Sequence, residues 1–397
     1  MNFLGDKSYV ALKPQSVATT PVIPTNFFGL VSESIRVNPN FEADRRMKGN
    51  DWKSDEILKG SRTIEGDLVL LGDVEALGHL LNMVYAKGST SGNGTDGYTH
   101  PFLPGDGKSY TIEIPRGNYA QRIYGARGSN LKFEYENNKL KCTVSIKALG
   151  QFYGASLAVA LTGAAQTTAV LSTEYDERPT DGLVVGDTII VGGVEVVLTS
   201  VNANGTTLGF ASTAITAAVG DALFLKAQTY SPGTFREPLY MGQTLVGLGA
   251  DIAAATIAAG ARATATPCYQ IVSNLKNNLL DAPASNFNGP AVLLNQTKEA
   301  DLNLKTLFET PGAFQQWIEA AKRAVTIVVT GKAIKTDLTT FELLSIKYHK
   351  VKRLTNENAV EKGAYIYDDQ KFEALYDNGD AQSIEISIVN RTAAASY

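Results

Sequence analysis

The sequence predicts a mainly β protein built from two related domains, with a third, smaller all-β domain inserted between them. Three observations carry this reading. β-Branched residues, Thr and Gly-marked turns recur at short intervals along 397 residues, which favours strands over long helices. The strand-like stretch TIEGDLVL (63–70) returns as TKEADLNL (297–304), with five identities in eight. Each copy is followed by the same order of helix, strands and hairpin, the mark of an internal duplication. A chain of this length is also too long for one ordinary core.

Residues 1–50 carry Pro14, Pro21 and Pro24 without helical periodicity, and are expected to form an extended arm ending in a first strand. Residues 51–169 form the first main domain. Its strand 63–70 leads to a helix that Asp73 caps, with Glu75 in the first turn and Leu77, Leu80, Leu81 and Val84 on one stripe. Lys87 and Gly88 close that helix. A polar, Gly-rich loop of about twenty residues (STSGNGTDGYTHPFLPGDGKS) follows, long enough to suggest a functional role. The hairpin LKFEYE–NN–LKCTVSIK then puts Leu131, Phe133, Tyr135, Leu140, Cys142, Val144 and Ile146 on a buried face. Its turn is Asn137–Asn138, and the opposite face is polar.

Residues 170–230 read as the insert, a small barrel or sandwich of short strands between Gly, Asn and Asp turns, in which Val185-Gly186-Asp187 echoes Val219-Gly220-Asp221. Residues 231–397 form the second main domain. There the sequence predicts a helix with Thr310 as cap, Pro311 at the first position, a stripe of Phe314, Trp317, Ile318 and Ala321, and Lys322 and Arg323 in the last turn. Strands TIVVTGKAI, FELLSIKYHKV and AYIYDD follow, then a turn at Asn378–Gly379 and the strand SIEISIV.

The formal net charge is −4 and the pI near 5.6, so the surface as a whole does not attract nucleic acid. Cys142 and Cys268 fit two buried thiols better than a disulfide framework or a metal site. MNFLGDKSYV lacks the features of a secretory signal, and the alanine-rich stretches 152–171 and 244–265 are broken by polar or charged residues, so no membrane span is expected. Chemistry is sparse. PGDGKS (104–109) has Phe102 where a phosphate-binding loop needs Gly, and VGLGAD (246–251) has Ile252 where a dinucleotide fingerprint needs its third Gly. His79, His100 and His349 lie apart, without a Gly-x-Ser-x-Gly elbow. No catalytic residue, cofactor or metal is assigned, although no pattern excludes an unmarked acid pair. The basic run KYHKVKRL (347–354) reads as a polar strand face or a subunit contact.

The order of features resembles the major tail tube proteins of long-tailed, non-contractile bacteriophages. The segments that carry the resemblance are ALKPQS, FFGLVSESIR, RTIEGDLVLLGDVEALGHLLNMVYAKG, YTHPFLPGDGKSYTIEI and GARGSNLKFEYENNKLKCTVSIKALGQF, with SIEISIVN near the end. It covers about the first 150 residues well. The resemblance implies β-sandwich-like or barrel tube domains, each with one flanking helix, that form rings stacking into a hollow tube for genome passage. Most such subunits carry one tube domain in six-fold rings; two per chain imply a trimeric ring with pseudo-six-fold symmetry. It implies self-association, contacts with terminator, tape-measure and tip proteins, transient passage of genomic DNA, and a place in the virion tail after assembly in the host cytoplasm. Glu113, Glu134 and Glu385 are candidate lumen carboxylates. Pro14, Phe27, Phe28, Tyr98, His100 and Phe102 are candidate contacts between subunits or rings, and the insert would decorate the outside. A different class of function, a β-rich adhesin or decoration protein binding glycans or a receptor, is the alternative.

Overall fold

The structure is a computed structural model that describes residues 9–43, 57–59, 61–174, 178–202, 205–230, 237–259, 261–262, 265–284, 287–307, 315, 318–335, 340–359, 367–393 and 397. The fold is mainly β, 61% strand against 7% helix, with a closed six-stranded barrel and a half-barrel.

In the first repeat, Tyr9–Pro14 pairs with Asn26–Glu33, which pairs with Thr63–Leu71. That strand pairs with Lys139–Ala148, then Tyr119–Glu136, then Tyr110–Arg116, which returns to Tyr9–Pro14. Every pairing is antiparallel. The 18-residue strand Tyr119–Glu136 serves two layers: its first half pairs with Tyr110–Arg116 and its second half with Lys139–Ala148. Asn137 and Asn138 both take positive φ, at 50° and 66°, as a two-residue hairpin matching the strand twist requires.

The second repeat uses the same parts in the same order. Cys268–Lys276 pairs with Glu299–Leu307, then Tyr367–Ala374, then Phe341–Ala359, then Lys322–Ala333, then Thr244–Gly249. Its long strand Phe341–Ala359 again divides between two partners. The duplicated octapeptides fall in equivalent strands, one between Asn26–Glu33 and Lys139–Ala148 and the other between Cys268–Lys276 and Tyr367–Ala374. The pairing that would close the cycle, between Thr244–Gly249 and Cys268–Lys276, is absent among the described residues.

The insert starts earlier than the expected residue 170. Its strands are Ala155–Ser156, Leu161–Val170, Thr188–Val191, Val194–Val201, Thr207–Ala217 and Ala222–Leu225. A bridge between Leu157 and Leu171 joins its first and last members into a closed barrel. It owns a separate core, with Ile189, Val191, Leu198, Leu208 and Leu223 buried. LTGAAQTTAV, expected in the first repeat, is a strand of the insert; its Ala and Thr alternation carries little apolar signal. By contrast, the two repeats share one continuous core, running from Val10 and Leu12 to Ile384 and Ile388.

Three further expectations need correction. Tyr9–Pro14 belongs to the core and not to an arm: Val10, Ala11 and Leu12 are fully buried, and the prolines after them mark a turn. The polar loop forms two strands, Ser91–Asn93 and Gly97–Leu103, and the latter pairs with Ile384–Asn390 of the second repeat. Lys322 and Arg323 open a strand instead of closing a helix. The predicted second helix lies largely outside the described residues, Thr310, Pro311, Phe314 and Trp317 among them; Gln315 and Ile318 are helical. VGLGAD ends a strand, and Asp251 caps the short helix Ile252–Ala255 that follows.

Candidate functional site

The helix Val74–Val84 packs against strands of both repeats. Asp73 accepts hydrogen bonds from the Glu75 and Ala76 amides at 2.9 and 2.8 Å, meeting two of the unsatisfied donors at the helix start. Val74 and every residue from Ala76 to Val84 are buried. The helix is therefore not a flank: it lies between the long strand of the first repeat and strands of the second. Lys298, in the second copy of the duplicated octapeptide, reaches the Val84 carbonyl at 3.3 Å and the Asn277 side-chain oxygen at 2.8 Å, and also the Gly105 carbonyl. Desolvation lowers its pKa to about 8.

The sheets of the two repeats join. Asn130–Glu134 pairs with Val272–Lys276, so eight strands from Asn26–Glu33 through Phe341–Ala359 form one continuous antiparallel run. One face carries the shared core. The other is polar, and the register sets its side chains in rows. One row is Val69, Thr143, Lys132, Asn274, Asp301, Glu373 and Lys352. The next is Leu71, Lys141, Glu134, Val272, Asn303, Lys371 and Thr355. A third runs Asp67, Ser145, Asn130, Lys276 and Glu299.

These rows hold five carboxylates and five lysines, so the face is charge-balanced and not acidic. Lys132 and Lys141 lie 2.6 and 3.8 Å from Glu134, and Lys276 lies 2.7 Å from Asp301 and 3.4 Å from Glu299. Hydrogen bonding to Asp301 raises the Lys276 pKa, and hydrogen bonding to Glu136 raises that of Lys141. Such partly exposed pairs add little stability. Their chemical effect is to cancel the field that would hold a polyanion, because phosphate binding rests on uncompensated Lys and Arg.

Of the three lumen candidates, Glu134 lies on this face. Glu385 lies on Ile384–Asn390, beside the first half of the other long strand, 3.3 Å from Lys347. Glu113 is a correction: it is fully buried, 2.9 Å from Arg122, which also pairs with Asp187 of the insert. Gln228 donates to Glu113 at 3.0 Å, and the Val184 amide donates to Asp187 at 2.7 Å. This cluster fastens insert to repeat. The sequence held no sign of it: strand alternation in TIEIP does not mark Glu113 as buried, and the cluster around Arg122 is completed by Asp187, 74 residues from Glu113 along the chain.

The contact candidates are also redistributed. Phe28, His100 and Phe102 are buried within the chain: Phe28 against the His79 ring, and His100 and Phe102 opposite Ile388 and Ile386. His100 lies 3.1 Å from the Asn390 side chain and 2.9 Å from the Thr392 carbonyl. Pro14 faces Tyr110, Tyr98 faces Asn390, and Phe27 packs on Tyr9 and Tyr230. These three each have a neighbour within the chain and remain half-buried.

His79 is enclosed by Phe28, Tyr110 and Tyr397, and desolvation lowers its pKa to about 3. His349 pairs with Asp380 at 2.7 Å. Burial raises the Cys142 thiol pKa well above its ordinary value and that of Cys268 to about 12, and neither cysteine forms a disulfide. Among the described residues no cluster of His, Cys, Asp and Glu could hold a metal ion, and no helix is long and apolar enough to cross a membrane. A cleft of about 370 Å³ opens where insert meets first repeat, lined by Phe152, Tyr153 and Phe224 with Arg62, Gln151 and Asp181. No family model and no curated protein matches the chain.

Proposed function

We propose that this chain is a structural protein that assembles with itself into stacked rings forming a hollow tube, as in the tails of long-tailed, non-contractile phages. The observation that carries the reading is the eight-strand sheet in which two equivalent repeats lie side by side, core on one face and balanced charge on the other. Such a sheet is a wall segment. Its polar face suits a wet bore, and its charge balance lets DNA slide without being gripped. Two repeats per chain make three chains equivalent to six units, so the ring is a trimer with pseudo-six-fold symmetry. Terminator, tape-measure and tip proteins are the partners at its ends, and the virion tail is its location.

Ring size tests this directly. About 24 strands at ~4.8 Å spacing enclose a barrel ~37 Å across between backbones, which strand tilt widens; six chains would double that. Negative-stain microscopy of concentrated protein is expected to show hollow rings or tubes of the smaller size, with three chains per ring by native mass spectrometry. Persistent monomers would overturn the proposal.

A second reading, glycan binding by the insert, draws on the cleft lined by Tyr153, Phe224, Arg62 and Asp181. Aromatic faces beside a few convergent polar groups suit a sugar ring. A glycan array probed with the full chain tests it, and absence of any signal would remove it.

A further inference from the structure

One antiparallel junction inside the chain joins the two repeats. Five residues of the first repeat's long strand, Asn130–Glu134, pair with Val272–Lys276 of the second repeat. The duplication supplies each partner's counterpart. Through the octapeptide offset, Val69 corresponds to Asn303, and their neighbours Thr143 and Lys371 correspond in turn. The next strand out gives Lys132 and Thr355 as equivalents. In the other direction, Ser32 opposes Val69 as Val272 opposes Asn303, and the Ser34 amide meets Asp67 as Asn274 opposes Asp301. Ser34 is thus the counterpart of Asn274.

Both counterparts lie at the ends of the eight-strand run. Among the described residues, Thr355–Ala359 has a strand partner on one side only, Tyr367–Lys371, and Ser32–Glu33 has one only in Leu68–Val69. An exposed aliphatic side chain stands at each end, Val31 at 50% and Leu354 at 48%. A long strand left half-paired invites another chain.

We infer that the second repeat's edge at Thr355–Glu357 pairs, antiparallel, with the edge at Ser32–Ser34 of a second copy of this chain. The inherited register sets Thr355 opposite Ser34, Asn356 opposite Glu33 and Glu357 opposite Ser32. The contact is head-to-tail, so it closes a ring when its rotation matches that of the internal junction. The inference rests on the tube reading and specifies its lateral interface.

Cross-linking tests it. Thr355 and Ser34 both fall on the polar face, and opposed residues in an antiparallel pair bring their Cβ atoms within ~4.5–5.5 Å. In a Cys268→Ser background, Thr355→Cys combined with Ser34→Cys is expected to give, on oxidation, a covalent ladder that stops at three chains. Thr355→Cys with Glu33→Cys, which point to opposite faces, is expected to give none. Assembly of both variants under reducing conditions is checked by microscopy. Rings without the Thr355–Ser34 link, or with the link in the shifted pair instead, overturn the register and leave the tube reading standing. Absence of rings from the unmodified chain overturns both. Amide exchange needs no substitution: the Ser34 amide already bonds Asp67, so the alternate amide of Glu33 and that of its opposite residue Asn356 are expected to become protected on assembly, and unchanged exchange at both in rings refutes the interface.

Discussion

Arg122 holds Glu113 and Asp187 together where almost no water reaches, with side-chain exposures of 1%, 0% and 2%. Removing the guanidinium strands two carboxylates in a low-dielectric site, so Arg122→Ala is expected to cost about 3–5 kcal/mol in urea unfolding. Adding Glu113→Gln is expected to recover part of that loss; equal midpoints for the single and double variants would contradict it. His79 gives a pH signature. Its folded pKa, about 3, lies below the ordinary 6.5, so the unfolded chain binds the extra proton. Stability from this group is therefore complete above pH 6.5 and declines as pH falls toward 3. His79→Gln is expected to flatten the melting-temperature profile across that window, and parallel profiles would refute the assignment. Residues of this kind were only half legible. The sequence places His79 in no catalytic set but does not show its aromatic enclosure, and Glu113 reads as exposed because alternation does not show that Arg122 and Asp187 meet it in the interior.

At the scale of elements, the local signals of the first helix and its hairpin held, whereas Lys322 and Arg323, read as a helix end, open a strand. Asp73, Glu75 and the stripe Leu77, Leu80, Leu81 and Val84 predict the helix that is found, and Asn137–Asn138 predicts its hairpin. Asp73→Ala is expected to cost about 1 kcal/mol, within 0.5–2, by losing two capping bonds; a loss below a few tenths in thermal unfolding would show the cap to be idle. What escaped was the burial of that helix on its far side, because part of its cover comes from Ile384–Asn390 and Tyr397. The Gly97–Leu103 strand escaped for the same reason. It has turn-rich neighbours and finds its partner, Ile384–Asn390, nearly three hundred residues later.

At the scale of the molecule, the duplication was legible from eight residues, and the pairing order extends it to whole repeats. The insert's existence was readable too, though its first strands were not. Its separate core predicts independence: deleting Ala155–Leu225 and joining the ends with a short Gly/Ser linker is expected to leave ring formation intact. Arg122 and Glu113 would then need the neutral pair Arg122→Met and Glu113→Gln. Loss of rings in that shortened chain, with folding intact by circular dichroism, would assign the insert to the wall.

One insert for two repeats has a geometric consequence. In a ring of three chains, bare and decorated units alternate, so projections stand 120° apart and each is flanked by open wall on both sides. Six single-repeat subunits that each carried an insert would crowd the same circumference twice as densely. In the proposed ring, fusion of the two repeats into one chain would fix that alternation covalently and leave three separated stations on the rim.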